Sequence, residues 1–598
     1  MIDVEQRADP ARDPNLAPAR VFPVVPRWGA IAIAILAQVI VSLAIGEVPL
    51  FGLVHAAGLF AVGMYAALRR DLTLVLCCAA YLTGSEVMWR QASAPIPYLA
   101  APYLLIMLSV FAVVFGIGRL GRNARLAVLY AALLLPAAIS TIRTAGDNSR
   151  ELIAFALSGP LAMAAFIAFT SQVRVAPWLY RRVLWVTLVS AFGPLTIAVS
   201  RLRADYLASG GIEFSEQSNF AASGGFGPVQ VSSVLSLGIL AAVLLLLSEP
   251  SRAARILAAV AGFAMLVQTL LTFSRGGSFS IALAVVALAL VSVSDRRVRR
   301  RIFAISAVTL TLAYFLVFPW LETFTGGAFE ERFSDQTSSR TDLAANDVEI
   351  FARSPLLGVG PGMTKFQRLG YEVCQLRSDN CRDEASSHTE FTRMLGEHGV
   401  PGVIALVVLA TLAMNAFRAR GPGWEFSVAF LVWAIAQMFY ANLRITAVPF
   451  AFGLAFLRLT SATAPSDDDD PAAAPIGGPY NGHRANGTPT ELTAAHTTGR
   501  TNGDHPEVPG GAREGRPVGF GAGYGAGGRI ERRVGFGGPG TTAPAPGSNG
   551  TVRSNGSPAT NGTTIFTNPG PRTNGSHDNG GRLPLEPPPF VAPTDEPG

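Results

Sequence analysis

The chain has 598 residues, half of them hydrophobic and only 15% charged, with a formal net charge of +6. That balance excludes a set of ordinary soluble domains and indicates an integral membrane protein carrying polar segments. It also weakens a nucleic-acid reading of the positive charge, because the arginines lie mainly between hydrophobic runs, where membrane topology accounts for them.

Residues 1–27, "MIDVEQRADPARDPNLAPARVFPVVPR", are polar and proline-spotted, and read as a disordered cytoplasmic leader without a signal-peptide pattern. Fourteen apolar runs follow, each near the ~20 residues that a spanning helix needs. They lie near 28–46, 49–68, 71–88, 98–118, 124–141, 150–170, 178–199, 226–248, 254–272, 277–294, 302–319, 400–417, 424–441 and 444–461. The expected fold class is all-α: a polytopic integral membrane helix bundle of about 12–14 transmembrane helices. Eleven runs fall in 28–319 and three in 400–461, with a long extracytoplasmic loop bearing short helices between them at 320–399.

Arginine orients these runs. The leader, "RRD" at 69–71, "RLGRNAR" at 119–125, "RVAPWLYRR" at 174–182, "SRAAR" at 251–255, "DRRVRRR" at 295–301 and "RAR" at 418–420 fall on one side, which is therefore cytoplasmic. The loops at 89–97, 142–149, 200–225, 273–276 and 320–399 face outside. Residues 462–598 are rich in Gly, Asn, Pro, Ser and Thr and read as a disordered cytoplasmic tail. Their Asn-Gly-Thr/Ser triplets at Asn486, Asn549, Asn555, Asn561 and Asn574 match a glycosylation pattern, which a cytoplasmic tail reduces to low-complexity drift. Cys77 and Cys78 sit in an apolar run as small apolar residues, whereas Cys374 and Cys381 lie in the outer loop, where an oxidising compartment would allow a disulfide.

Few charges interrupt the apolar runs: His55 and Glu86 lie inside them and Arg444 starts the last. The polar chemistry concentrates on the outer loops. In "LLTFSRGGSFS" (270–280), Arg275 stands at a helix mouth before two glycines that permit close approach of a backbone or ligand. It reads either as a snorkelling arginine or as a bidentate phosphate ligand. Residues 340–353 form an amphipathic helix with Ala344, Val348 and Phe351 on one face, capped by Ser339 and stopped by Pro355. Arg340 at its start is an anion candidate, since helix N-termini favour anions. Gly358, Gly360 and Gly362 form a tight turn rather than a P-loop, because no Gly-Lys-Ser/Thr follows.

In "SSHTEFTRMLGEHG" (386–399), Ser387-x-x-Glu390 fits a capping box. Arg393 is spaced to pair with Glu390 or Glu397. His388 then falls in the first turn, where the helix N-terminus favours a neutral imidazole able to accept a proton. No metal-ligand spacing appears, and "HTEF" is not a zinc motif.

The order "SRGG", then "SR…ARSPLLGVGPGMTKF", then "SHTEFTRMLGEHGVPG" before a final set of helices resembles the bacterial O-antigen ligase and polymerase superfamily over roughly 225–417. Two positions depart from the family pattern: Thr389 follows His388 where the family often has asparagine, and "GGFGPVQVSS" carries Pro228 and Gln230 in place of a frequent asparagine.

The resemblance implies a multi-pass enzyme of the bacterial cytoplasmic membrane with both termini cytoplasmic. It would move a glycan from an undecaprenyl-pyrophosphate donor to an acceptor hydroxyl at the outer leaflet, without a metal, nucleotide sugar or other cofactor. The partners implied are the lipid-linked donor, a glycan, glycolipid or protein acceptor, and membrane lipid, with the tail free to recruit cytoplasmic biosynthetic proteins. The carry-over falls on Arg275, Arg340 and His388, with the two arginines expected as pyrophosphate ligands and His388 as base or acceptor-positioning group. Arg201 and Arg203 in the preceding outer loop are further donor-binding candidates. A polymerase of the same superfamily uses the same residues; a lipid-linked sugar flippase and a non-catalytic scaffold are the readings from other classes.

Overall fold

The computed structural model describes residues 27–117, 121–209, 214, 218–292, 296–334, 340–367 and 387–460. The expectations for the leader, the tail and its Asn-Gly-Thr/Ser triplets, the Cys374 and Cys381 pairing and the Ser339 cap lie outside these residues, as does the side chain of Arg340.

Helices α1 (Arg27–Glu47) and α2 (Leu50–Leu68) are followed by α3 (Leu72–Gln91), which Asp71 caps by accepting the Leu74 N–H at 3.0 Å. Next come α4 (Ala100–Val114), α5 (Arg122–Leu134), α6 (Ala138–Ala145), α7 (Ser149–Thr170) and the 33-residue α8 (Pro177–Ser209). Helices α9 (Pro228–Ser248), α10 (Arg252–Leu271) and α11 (Arg275–Val291) precede α12 (Arg296–Leu312), which runs through a π turn into α13 (Phe318–Thr325). The chain ends its described part with α14 (Ala328–Ser334), α15 (Arg340–Arg353), α16 (Glu390–Arg418), α17 (Trp424–Met438) and α18 (Ala447–Leu454). A two-residue parallel ladder, Arg174 with Arg458 and Val175 with Leu459, is the only sheet among the described residues.

Among the described residues, nine helical stretches are long and apolar enough to cross a membrane, one of them covering α5 to α7, and α4, α11 and α17 are shorter apolar helices. The protein is an all-α polytopic membrane bundle. The central helix is α9, whose apolar window is 89% buried, while the windows of α1 and of Arg299–Thr325 are 17% buried and present their side chains to lipid. Small residues let the inner helices touch. A Cβ on Gly84 of α3 would fall 2.1 Å from the Ser190 carbonyl of α8, and one on Gly159 of α7 would fall 2.0 Å from the Leu443 carbonyl.

The last hydropathic run, 444–461, is not a span. It holds only the eight-residue α18, about 12 Å long against a hydrocarbon core of ~30 Å. Its apolarity serves burial among other helices: Phe450 and Phe452 are fully enclosed, and Gly453 abuts the Phe166 ring at 2.2 Å from its Cβ position. His55 also has a bundle role. It accepts from Trp89 Nε1 at 3.0 Å through Nδ1, which leaves Nε2 to donate to Tyr81 Oη at 3.0 Å, so α2 is tied to α3.

Candidate active site

The helix ends that the sequence places on one side do converge. The last turn of α3 meets the first turn of α9, where Arg90 donates to Gln230 at 2.9 Å. The first turn of α16 meets the segment after α17, where Glu390 accepts the Leu443 N–H at 3.2 Å. The first turn of α11 lies against that same segment, with the Tyr440 ring 3.0 Å from the Cβ position of Gly276.

Helix α16 is broken. Gly399 has φ 60° and ψ −140°, a conformation open to glycine, and it frees backbone groups on both sides of the break. The glycine loop supplies their partners. Val359 N–H donates to the Gly396 carbonyl and Gly360 N–H to the Glu397 carbonyl, each at 3.0 Å, and Val400 N–H donates to Pro355 at 2.8 Å. All three loop glycines are left-handed, with φ of 68°, 106° and 77° at Gly358, Gly360 and Gly362. Contact also demands their lack of a side chain: a Cβ on Gly358 would lie 2.4 Å from the Glu397 carbonyl, and one on Gly360 2.3 Å from Thr141 Oγ1. "PLLGVGPG" and "GEHG" are thus two halves of one structural joint.

That joint sets up the segment bearing His388. Helix α15 runs over Arg340–Arg353 as the sequence predicts, but its buried face is Leu343, Asp347 and Ile350; Val348, expected on that face, is exposed. Asp347 has no exposed surface. It accepts Ser387 Oγ at 3.2 Å and Thr392 Oγ1 at 2.9 Å, bracketing His388 from both sides. Thr364, after the glycine loop, adds Oγ1 contacts of 3.3 Å to both Ser387 Oγ and Glu397 Oε1.

The expected capping box is not formed. The N-cap is Thr389, whose Oγ1 accepts the Phe391 N–H at 3.2 Å, and His388 precedes the helix instead of lying in its first turn. Glu390 turns inward and is fully buried. It pairs with Arg393, with Arg393 Nε at 2.9 Å, as the helical spacing suggests, and Arg393 Nη1 also stands 3.8 Å from Glu397. A buried carboxylate that already neutralises an arginine has more to gain from this ion pair and from Leu443 than from an exposed cap.

Arg275 is the first residue of α11, and the two glycines after it have defined roles. Gly276 receives the Tyr440 ring, and Gly277 lies against α9, with its Cβ position 2.6 Å from the Ser232 carbonyl. Behind Arg275, Phe273 is a buried non-glycine residue at φ 56°, a strained position braced by Asn219 N–H donating to Thr272 at 2.9 Å and by Ser232 Oγ donating to Ser274 Oγ at 2.9 Å.

Arg201 and Arg203 do not lie in a loop, because α8 continues to Ser209 through the expected boundary. Arg201 Nη1 donates to the Gly224 carbonyl at 2.9 Å, a structural contact, while Arg203 is exposed. Arg340 opens α15, seven residues and so ~10 Å along the axis from Asp347.

The structure brings the His388 and Arg275 segments to one feature that the sequence did not mark. The turn after α17 packs Phe439 on Phe391, with ring centroids 4.7 Å apart, and Tyr440 on Gly276. Its Ala441 is left-handed at φ 53°, and Asn442 Nδ2 donates to Ser233 Oγ and Gln437 Oε1, each at 2.7 Å. Glu86 holds the far side of the turn, accepting Thr446 N–H and Oγ1 at 2.7 Å each while paired with Arg90. A carboxylate inside an apolar run, as Glu86 is, was the available signal.

Residues 257–407 match the family model for O-antigen ligase, from within α10 to within α16, so the match takes in Arg275, Arg340 and His388 and leaves out Arg201, Arg203 and the turn after α17. No curated protein matches the chain. The fold, the two interlocked motifs and this match agree: residues 257–407 match an O-antigen ligase domain, set within a multi-pass membrane helix bundle.

Proposed function

We propose that the protein transfers a glycan from an undecaprenyl-pyrophosphate donor to an acceptor hydroxyl at the outer leaflet, with both termini in the cytoplasm. The acceptor oxygen attacks the anomeric carbon, the bond from that carbon to the pyrophosphate oxygen breaks, and the lipid pyrophosphate leaves as an anion. Arg275 and Arg340 hold the leaving charge, and His388 takes the acceptor proton, a role worth about 10² to 10⁴ in rate. The reading asks no metal or other cofactor of the site, because guanidinium groups supply the positive charge. Arg203 remains a donor-binding candidate by its exposure. Arg201, bound to Gly224, serves the same region by shaping the loop.

The observation that supports this reading is the shared turn: Phe439 touches the residue three positions after His388, and Tyr440 touches the residue after Arg275. Buried hydrogen-bonded supports on several elements are what a pre-organised site requires. The test is reconstitution in liposomes with a lipid-linked oligosaccharide and a glycan acceptor. The expected result is a glycosylated acceptor with release of undecaprenyl pyrophosphate, a single addition marking a ligase and a ladder of lengths a polymerase. Donor crossing the bilayer with no new glycosidic bond would replace the reading by a flippase.

A further inference from the structure

Two arginines stand on one aromatic pair at the end of the bundle that carries Arg275. The Arg90 guanidinium lies 3.8 Å from the Tyr98 ring centroid, the Tyr98 and Phe155 centroids are 5.8 Å apart, and the Arg444 guanidinium lies 4.9 Å from the Phe155 centroid. Arg90 is neutralised: it pairs with Glu86 and donates to Gln230 and to the Tyr98 carbonyl. Arg444 is not. Among the described residues its guanidinium has neither a hydrogen-bond acceptor nor a carboxylate within ion-pair distance, and its Nε is enclosed without a partner. The two acids that hold its chain neighbours are engaged elsewhere, Glu86 with Arg90 and Thr446, Glu390 with Arg393 and Leu443.

We propose that Arg444 is an anion-binding residue that takes a phosphate oxyanion at the membrane surface through the two terminal nitrogens of its guanidinium. A half-buried cation without a counter-charge is costly near a membrane and is retained where a ligand supplies the charge. Its backbone is fixed in advance, since Leu443 N–H is held by Glu390, Thr446 N–H by Glu86, and the Leu443 carbonyl lies in the notch at Gly159. A pinned backbone and a ring beneath the guanidinium reduce the ordering cost of a bidentate contact. Phosphate chemistry is shared by a lipid pyrophosphate and a phospholipid headgroup. The inference rests on the proposed function only for which of these two carries it.

The test uses the full chain in nanodiscs. Farnesyl pyrophosphate is titrated in neutral phosphatidylcholine discs, and retention of phosphatidylglycerol is measured separately for wild type, Arg444→Gln, Arg444→Lys and Phe155→Leu. Arg444→Gln is expected to melt like wild type and to weaken one of these ligands about 10- to 100-fold. Arg444→Lys is expected to recover part of the loss and Phe155→Leu, which removes the ring beneath the guanidinium, to weaken the same ligand by a smaller factor than Arg444→Gln. Loss confined to farnesyl pyrophosphate identifies the donor-type phosphate, and loss confined to phosphatidylglycerol identifies the headgroup. If both ligands bind Arg444→Gln and Arg444→Lys as they bind wild type, the inference is overturned. A common drop in melting temperature for Arg444→Gln and Phe155→Leu with binding unchanged would make the pair a structural staple instead. A wild-type protein that binds pyrophosphate but transfers no glycan would remove the proposed function and leave this inference standing.

Discussion

Asp347 accepts a hydrogen bond from Ser387 at 3.2 Å, so a buried carboxylate on one helix fixes the residue directly before His388. Thr392, on the other side of the histidine, reaches the second oxygen of the same carboxylate at 2.9 Å. Asp347→Asn keeps the shape and loses the charge that both hydroxyls serve. It is expected to lower kcat for glycan transfer about 10-fold with little change in donor KM, because it loosens the segment that bears His388. A variant whose KM rises while kcat holds would assign Asp347 to donor binding.

Glu390 separates a cap from a buried ion pair by magnitude. A lost cap costs about 1 kcal/mol. Removing one partner of a buried pair costs about 3 kcal/mol or more, since among the described residues Arg393 is left with the Glu397 carboxylate at 3.8 Å. Glu390→Ala is therefore expected to reduce membrane abundance and thermal stability sharply. Stability within about 1 kcal/mol of wild type would return Glu390 to the capping role.

The glycine loop makes a backbone prediction. Gly360→Ala places a Cβ 2.3 Å from Thr141 Oγ1 at φ 106° and is expected to destabilise by at least about 2 kcal/mol. Gly58→Ala on α2, which meets nothing within 4 Å, is expected to be neutral or slightly stabilising. Melting curves of the two purified variants check the contrast, and equal melting temperatures would deny that the loop conformation is required.

Much of this arrangement was legible in the sequence, and the limits have physical causes. Apolar runs of membrane length marked the helices, and the bounds of α15 and the Arg393 pairings followed from helical spacing. The face of α15 was misread because apolar periodicity favoured Val348, whereas Asp347 is buried by hydroxyls 40 and 45 positions away in the chain. Glu390 fitted a local cap, but Leu443, 53 positions on, competes for it. The run at 444–461 shows the same limit: hydropathy reports that a segment avoids water, and burial among helices satisfies that as well as lipid does. The turn after α17 had no motif of its own and is defined only by what folds onto it.

Arg275 carries a prediction about geometry rather than charge alone. Arg275→Lys preserves the cation but not the planar fork, and is expected to lose most of the transfer activity lost by Arg275→Ala, at least about 10-fold in kcat/KM. Lysine restoring full activity would show that a point charge suffices there.

The central claim is that His388 takes the acceptor proton in a site built from α11, α15, α16 and the turn after α17. Its most direct test is glycan transfer by His388→Ala in proteoliposomes, at matched protein abundance and matched binding of farnesyl pyrophosphate. The account predicts a fall of about 10² to 10⁴ in kcat with donor binding intact. Transfer at the wild-type rate would contradict it.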